Sequence, residues 1–160
     1  MRKRSKYRPK GVRLDVMGYV KENMTPITQH ESFAINLKLT NHAAMADLTR
    51  GKATKQDINT LINALNVMES LWRLGFGKEY RDVVDDGLRA LRSVGKRGLE
   101  TGSFVLRSSE MEALNTAMEL HDAQLEVITV RDMERAIAIV HEEMRNKRAV
   151  PIKTTKLETT

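Results

Sequence analysis

The stretch Thr54–Trp72, TKQDINTLINALNVMESLW, decides the fold class. It opens with Thr54 three residues ahead of Asp57, a capping-box-like pair in which each side chain satisfies an orphan N–H at a helix start. Behind it Ile58, Leu61, Ile62, Leu65, Met68, Leu71 and Trp72 recur at steps of three and four, which puts them on one stripe of an α-helix. Gly75-Phe76-Gly77 then ends the helix and lets the chain turn. A stripe of this kind must be buried against other elements, so the rest of the chain has to supply partner surfaces.

The flanking sequence supplies helices. Upstream, Thr28 or Gln29 through Arg50 reads as a first helix with Gly51 as its stop. Downstream, a third helix runs from about Lys78 to Val94 with Tyr80, Val84, Leu88 and Leu91 on one face, and Gly95 and Gly98 bracket Lys96 and Arg97 as its exit. Residues 99–107 read as a connector whose Phe104, Val105 and Leu106 tuck against the core. Ser109 with Glu112 reads as another capping box and opens a helix carrying Met111, Leu114, Met118 and Leu125. Thr129 with Asp132 opens the last, with Val130, Met133, Ile137, Val140 and Met144 in register. The short link between these two predicts an antiparallel hairpin. No alternating segment is long enough to build a sheet, and no solenoid-type repeat is visible. The expected fold is all-α: a bundle of about five amphipathic helices ending in an antiparallel helical hairpin, with an extended basic N-terminal arm. Its parts are a mostly extended arm over 1–27, a helical domain over 28–147 and a flexible basic tail over 148–160.

Charge is distributed unevenly. Arg2, Lys3, Arg4, Lys6, Arg8, Lys10 and Arg13 place seven cations and no carboxylate in the first thirteen residues. The whole chain has 27 Lys+Arg against 21 Asp+Glu, so the formal charge of +6 resides on this arm and the remainder is nearly neutral. A cationic arm on a neutral body suits a polyanion, and Tyr7 among the charges is placed to stack on a base. The same arm suits an acidic protein surface, or the body's own carboxylates in the same or a neighbouring protomer. With 41% hydrophobic and 30% charged residues the chain of 160 residues is ordinary for a globular domain. There is no cysteine, hence neither disulfide nor thiolate metal site. No apolar run is long enough for a membrane span, and Asp15, Lys21 and Glu22 interrupt any secretory-type stretch after the basic start.

Three segments, Lys6-Tyr7-Arg8-Pro9-Lys10, Leu48–Thr54 followed by Asp57-Ile58, and Glu119–Leu125, resemble a group of uncharacterised proteins encoded by tailed bacteriophages and prophages of proteobacteria. The resemblance covers nearly the whole chain. It implies a viral origin and a setting in the host cytoplasm, and it supplies no catalytic or binding residues.

The remaining motifs favour ordinary structural roles. Gly75-Phe76-Gly77 has a length that suits a helix-turn-helix, but the following helix begins Lys78-Glu79-Tyr80-Arg81-Asp82 and continues to Asp85-Asp86, carboxylates that would repel phosphates. His121-Asp122 and His141-Glu142-Glu143 lie on the two arms of the expected hairpin. The bundle di-metal pattern is Glu-x-x-His, and Met118 and Ala138 stand where its glutamates belong. His121 instead falls on the apolar stripe and reads as a hydrogen-bonded core histidine. No nucleophile has an evident base, and neither Gly75–Lys78 nor Gly95–Gly98 is a phosphate loop. Met68, Met111, Met118, Met133 and Met144 occupy stripe positions, where thioethers fill irregular gaps or line an interface.

The expectation is therefore a non-enzymatic binding protein without metal or cofactor. Arg2, Lys3, Arg4, Lys6, Tyr7, Arg8, Lys10 and Arg13 are its contact residues toward nucleic acid or a nucleoprotein complex. The alternative is a protein–protein module that inhibits or redirects a host polymerase or defence complex through an acidic surface. A virion assembly component is a weaker alternative. A homo-oligomer with paired apolar faces fits each reading.

Overall fold

The computed structural model describes residues 24–148 and residue 152. They form five α-helices: α1 Glu31–Thr49, α2 Lys55–Arg73, α3 Arg81–Thr101, α4 Ser108–Val127 and α5 Val130–Arg145. Among the described residues there is no strand, and the all-α bundle of five helices is the one the periodicity predicts. The caps at Thr54/Asp57 and Thr129/Asp132 form as reciprocal boxes; each aspartate accepts from the backbone N–H of its threonine, at 2.7 and 3.0 Å.

α2 is the central element and packs on all four other helices. Its stripe is the spine of the main core, where Leu61, Leu65 and Met68 are fully buried among Leu48 of α1, Val84 and Val94 of α3 and Leu114 of α4. A smaller core beside it joins Leu71, Leu125, Ile128, Met133 and Ala136 and holds α5 to the end of α2.

Ile27 belongs to that second core at 2% exposed, and its N–H donates to the Ile128 carbonyl at 3.0 Å. Val130 N–H donates to Thr25 O at 3.1 Å, and Pro26 pairs with Thr129 in an isolated antiparallel bridge. The last residues of the expected arm over 1–27 are thus built into the body, because Ile27 is apolar and its backbone has a ready partner at the α4–α5 junction.

Four further expectations are corrected. The closing hairpin is not made by the last two helices: α3 and α4 are the antiparallel pair, and α5 turns away to pack on α2. Ile128 and Thr129 are both extended (ψ 158° and 167°), and two such residues cannot fold α5 back along α4. α3 does not exit at Gly95 and Gly98 but continues to Thr101, ending at Gly102 with φ of 78°. A Cβ on Gly98 would lie 2.0 Å from Cδ1 of Phe104, so the missing side chain makes room for a buried ring, and that packing outweighs a helix-propensity cost of about 1 kcal/mol. Finally, α4 starts two residues earlier than the Ser109/Glu112 box requires. Glu110 accepts from the Arg107 N–H at 2.8 Å instead, because Arg97 of α3 already holds that carboxylate in place. Of the connector, Phe104 is buried and Leu106 half-buried, but Val105 is 53% exposed.

Candidate interaction groove

None of Arg2, Lys3, Arg4, Lys6, Tyr7, Arg8, Lys10 and Arg13 falls among the described residues, and most of the tail over 148–160 also lies outside them. What the described residues add is a groove. α5 crosses the C-terminal half of α2 while α3 packs along its opposite side, and α3 and α5 are not packed along each other. The surface of α2 between them stays open as a cleft of about 1070 Å³.

Its floor is aliphatic, made by Ile58 and Ile62 of α2 and Leu88, Leu91 and Leu99 of α3, with the buried edge of Phe104 behind. Along α2 the asparagines Asn59, Asn63 and Asn66 line it, one turn apart. Five cations stand on its rim, Lys55, Arg73, Arg92, Lys147 and Arg148, against Glu69 and Glu143. Both carboxylates are already engaged. Arg73 donates to Glu69 at 3.1 Å and to Glu143 at 3.4 Å, and Arg148 lies 3.3 Å from Glu143. Partial burial works against the charge on Arg73, but its two carboxylate partners hold it firmly protonated. Lys55, Arg92 and Lys147 have no carboxylate partner among the described residues and leave the rim positive.

One described residue beyond α5, Ile152, reaches this groove. α5 stops with Lys147 in a left-handed conformation (φ 54°), and Arg148 N–H returns to the Glu143 carbonyl at 3.0 Å, a Schellman closure made without glycine. Ile152 then seats over Gly95 of α3, where an added Cβ would come within 2.8 Å of its Cδ1.

A second polar feature is buried at the seam of α1, α2 and α4. Gln124 donates to the carbonyls of Met68 at 3.1 Å and Phe76 at 3.0 Å, which ties α4 to the end of α2. His121 beside it is fully buried, and no hydrogen bond reaches either ring nitrogen; Asn41 Nδ2 and Gln124 Oε1 are likewise unpaired. Burial pushes the His121 pKa down to about 4, against a weaker opposing pull from Asp122 and Gln124. His121 is thus in the core as its stripe position predicts, but without the expected hydrogen bond. At the solvent edge of the seam His42 pairs with Asp122 at 2.6 Å and Lys38 pairs with Glu126.

The histidine clusters do not meet. His121 is sealed under α1, whereas His141 is on the exposed side of α5, and among the described residues no group of three or more His, Asp or Glu side chains converges. The start of α3 is also unsuited to reading DNA. Lys78 and Arg81 stack over the Trp72 ring at 4.7 and 4.3 Å, and Arg81 grips Asp85 at 2.6 Å. Of the stripe methionines, Met68, Met118 and Met133 are buried, while Met111 and Met144 are 37% and 56% exposed. No described helix is long and apolar enough to cross a membrane.

Comparison with protein-family models, with curated proteins and with solved structures finds no match to this chain. The groove escapes sequence reading because its walls come from three segments far apart in the chain. The local signals were Gly95 on a face that carries aliphatic residues and the repeated asparagines of α2.

Proposed function

We propose that this is a small non-enzymatic binding protein of a tailed bacteriophage or prophage, acting in the host cytoplasm. It engages nucleic acid or a nucleoprotein complex through Arg2, Lys3, Arg4, Lys6, Tyr7, Arg8, Lys10 and Arg13. The observation that carries this reading is the segregation of charge: seven cations without a carboxylate in thirteen residues, joined to a body whose charges nearly balance. Within the described body many cations are held by neighbouring carboxylates, as in Arg97–Glu110, Arg81–Asp85 and Arg73–Glu69, so they are poorly placed to compete for phosphates. Each arm cation that meets a phosphate releases a counterion, and seven of them give a log–log salt slope of roughly −6 on duplex DNA and about −5 on single strands. Fluorescence anisotropy with labelled DNA and RNA at two salt concentrations tests this. Equal affinity and equal slope for the full chain and for a version lacking residues 1–13 would refute it.

A second reading, a module that inhibits or redirects a host protein, is favoured by the apolar surface that remains uncovered. Phe33, Ile35 and Leu39 of α1 are 49%, 45% and 62% exposed, and the groove floor is aliphatic. Ile35 and Leu39 share one side of α1, and that pair equally suits self-association into a homo-oligomer. Capture from nuclease-treated host lysate separates the two readings, since loss of every partner on nuclease treatment counts against the second.

A further inference from the structure

We propose that the groove between α2, α3 and α5 is a docking site for an acidic segment of a partner protein carrying an aliphatic anchor, and that Ile152 occupies the anchor's seat in its absence. The inference concerns the helical body and does not depend on what the arm binds.

Two observations select this occupant. The first is chemical matching: an aliphatic floor under Lys55, Arg92 and Lys147, three cations that no carboxylate among the described residues neutralises, complements a segment with apolar residues on one side and carboxylates flanking them. The second is the seat at Gly95. Ile152 shows that a branched aliphatic side chain fits there, because glycine leaves the space that a Cβ would fill. The chain's own tail is a poor electrostatic match for this rim, since Lys153 and Lys156 follow Ile152 and only Glu158 opposes them. A segment with the opposite charge sign is attracted by the rim cations, which repel lysines, so it displaces Ile152. Nucleic acid fits less well: the single aromatic residue in the lining, Phe104, is 6% exposed, and no ring is presented on which bases could stack.

The test uses the full chain and a fluorescein-labelled synthetic peptide of glutamate and leucine whose leucines share one helical face. Its controls are the same peptide with lysine in place of glutamate, and a labelled oligothymidylate. The expected result is saturable binding of the acidic peptide only, weakened at least about tenfold by Lys55→Glu combined with Arg92→Glu. Both residues are exposed, so the fold should tolerate the change, and Lys147→Glu on α5's exit repeats the test from another wall. Ile152→Ser should tighten the peptide by about threefold, because a competitor that occupies the seat lowers apparent affinity by the fraction of time the seat is filled. The proposal is overturned if rim reversal leaves peptide affinity unchanged, which assigns the binding to the arm. It also fails if the lysine peptide binds as tightly, if Ile152→Ser has no effect, or if rim reversal weakens oligothymidylate as much as the peptide. Arm deletion, by contrast, tests only the nucleic-acid reading, so the two can fail separately.

Discussion

Mild acid should loosen the α1–α4 seam, and His121 sets the amount. Its ring is fully buried, lacks hydrogen-bond partners on both nitrogens and is held at a pKa of about 4 against an ordinary value of 6.5. Burial is the main cause; His42 and Lys38, facing it from α1, add to it, and Asp122 and Gln124 oppose it. As pH falls below 6.5 the unfolded chain takes up a proton that the native state refuses, so stability present above 6.5 is lost on the way down to about 4. The gap between those values sets a ceiling of roughly 3 kcal/mol, of which about 2 kcal/mol is already lost near pH 5. Asp57 and Glu110 do not confuse the measurement. The backbone and side chain of Thr54 hold Asp57 low, and although burial raises Glu110, Arg97 and the Arg107 N–H bring it below its usual range, so both remain ionised there. Urea unfolding at about pH 7.5 and about pH 5 measures the loss. The same titration on His121→Leu isolates the residue, because an uncharged apolar side chain of similar bulk should remove most of the difference. A difference of the same size in His121→Leu, or no difference in the native chain, would refute the reasoning.

Other perturbations read other parts of the fold. Gly98→Ala gains about 1 kcal/mol of helix propensity but must push out the Phe104 ring, at a cost of about 2–3 kcal/mol, so thermal denaturation should show a net loss of roughly 1–2 kcal/mol. Arg97→Ala leaves the largely buried Glu110 carboxylate without its bidentate partner and frees the Val105 carbonyl, which Arg97 binds at 2.8 Å; a loss of about 2–3 kcal/mol is expected in urea unfolding. Thr129→Ala breaks the capping box that starts α5 and should cost about 1 kcal/mol, with hydrogen exchange accelerating first in α5 rather than in α2.

Element identity was legible wherever the signal is local. Thr54 with Asp57 and Thr129 with Asp132 stand three residues apart, and a helix start depends on little else. Partnership was less legible. The link at Ile128-Thr129 is short, which by itself suggests a hairpin, but its direction follows from two extended residues and from Ile27 docking against the junction. Gly95 and Gly98 read as stops because glycine disfavours helix; they stay helical because Ile152 and Phe104 occupy the space above them. Ser109 and Glu112 satisfy the capping pattern, whereas Arg107 has no side-chain acceptor; the start at Ser108 follows from Glu110, which Arg97 holds across the α3–α4 turn where it accepts from the Arg107 N–H.

The amino-acid order alone determined that this chain is helical and that its positive charge is segregated into the first thirteen residues, because helix periodicity, end-capping and net charge are properties of neighbours in sequence. Tertiary structure decided which helices pair, what His121 experiences and where an open groove remains. Those depend on volumes and on charges brought together from segments far apart, and no local pattern encodes a space that three helices enclose between them.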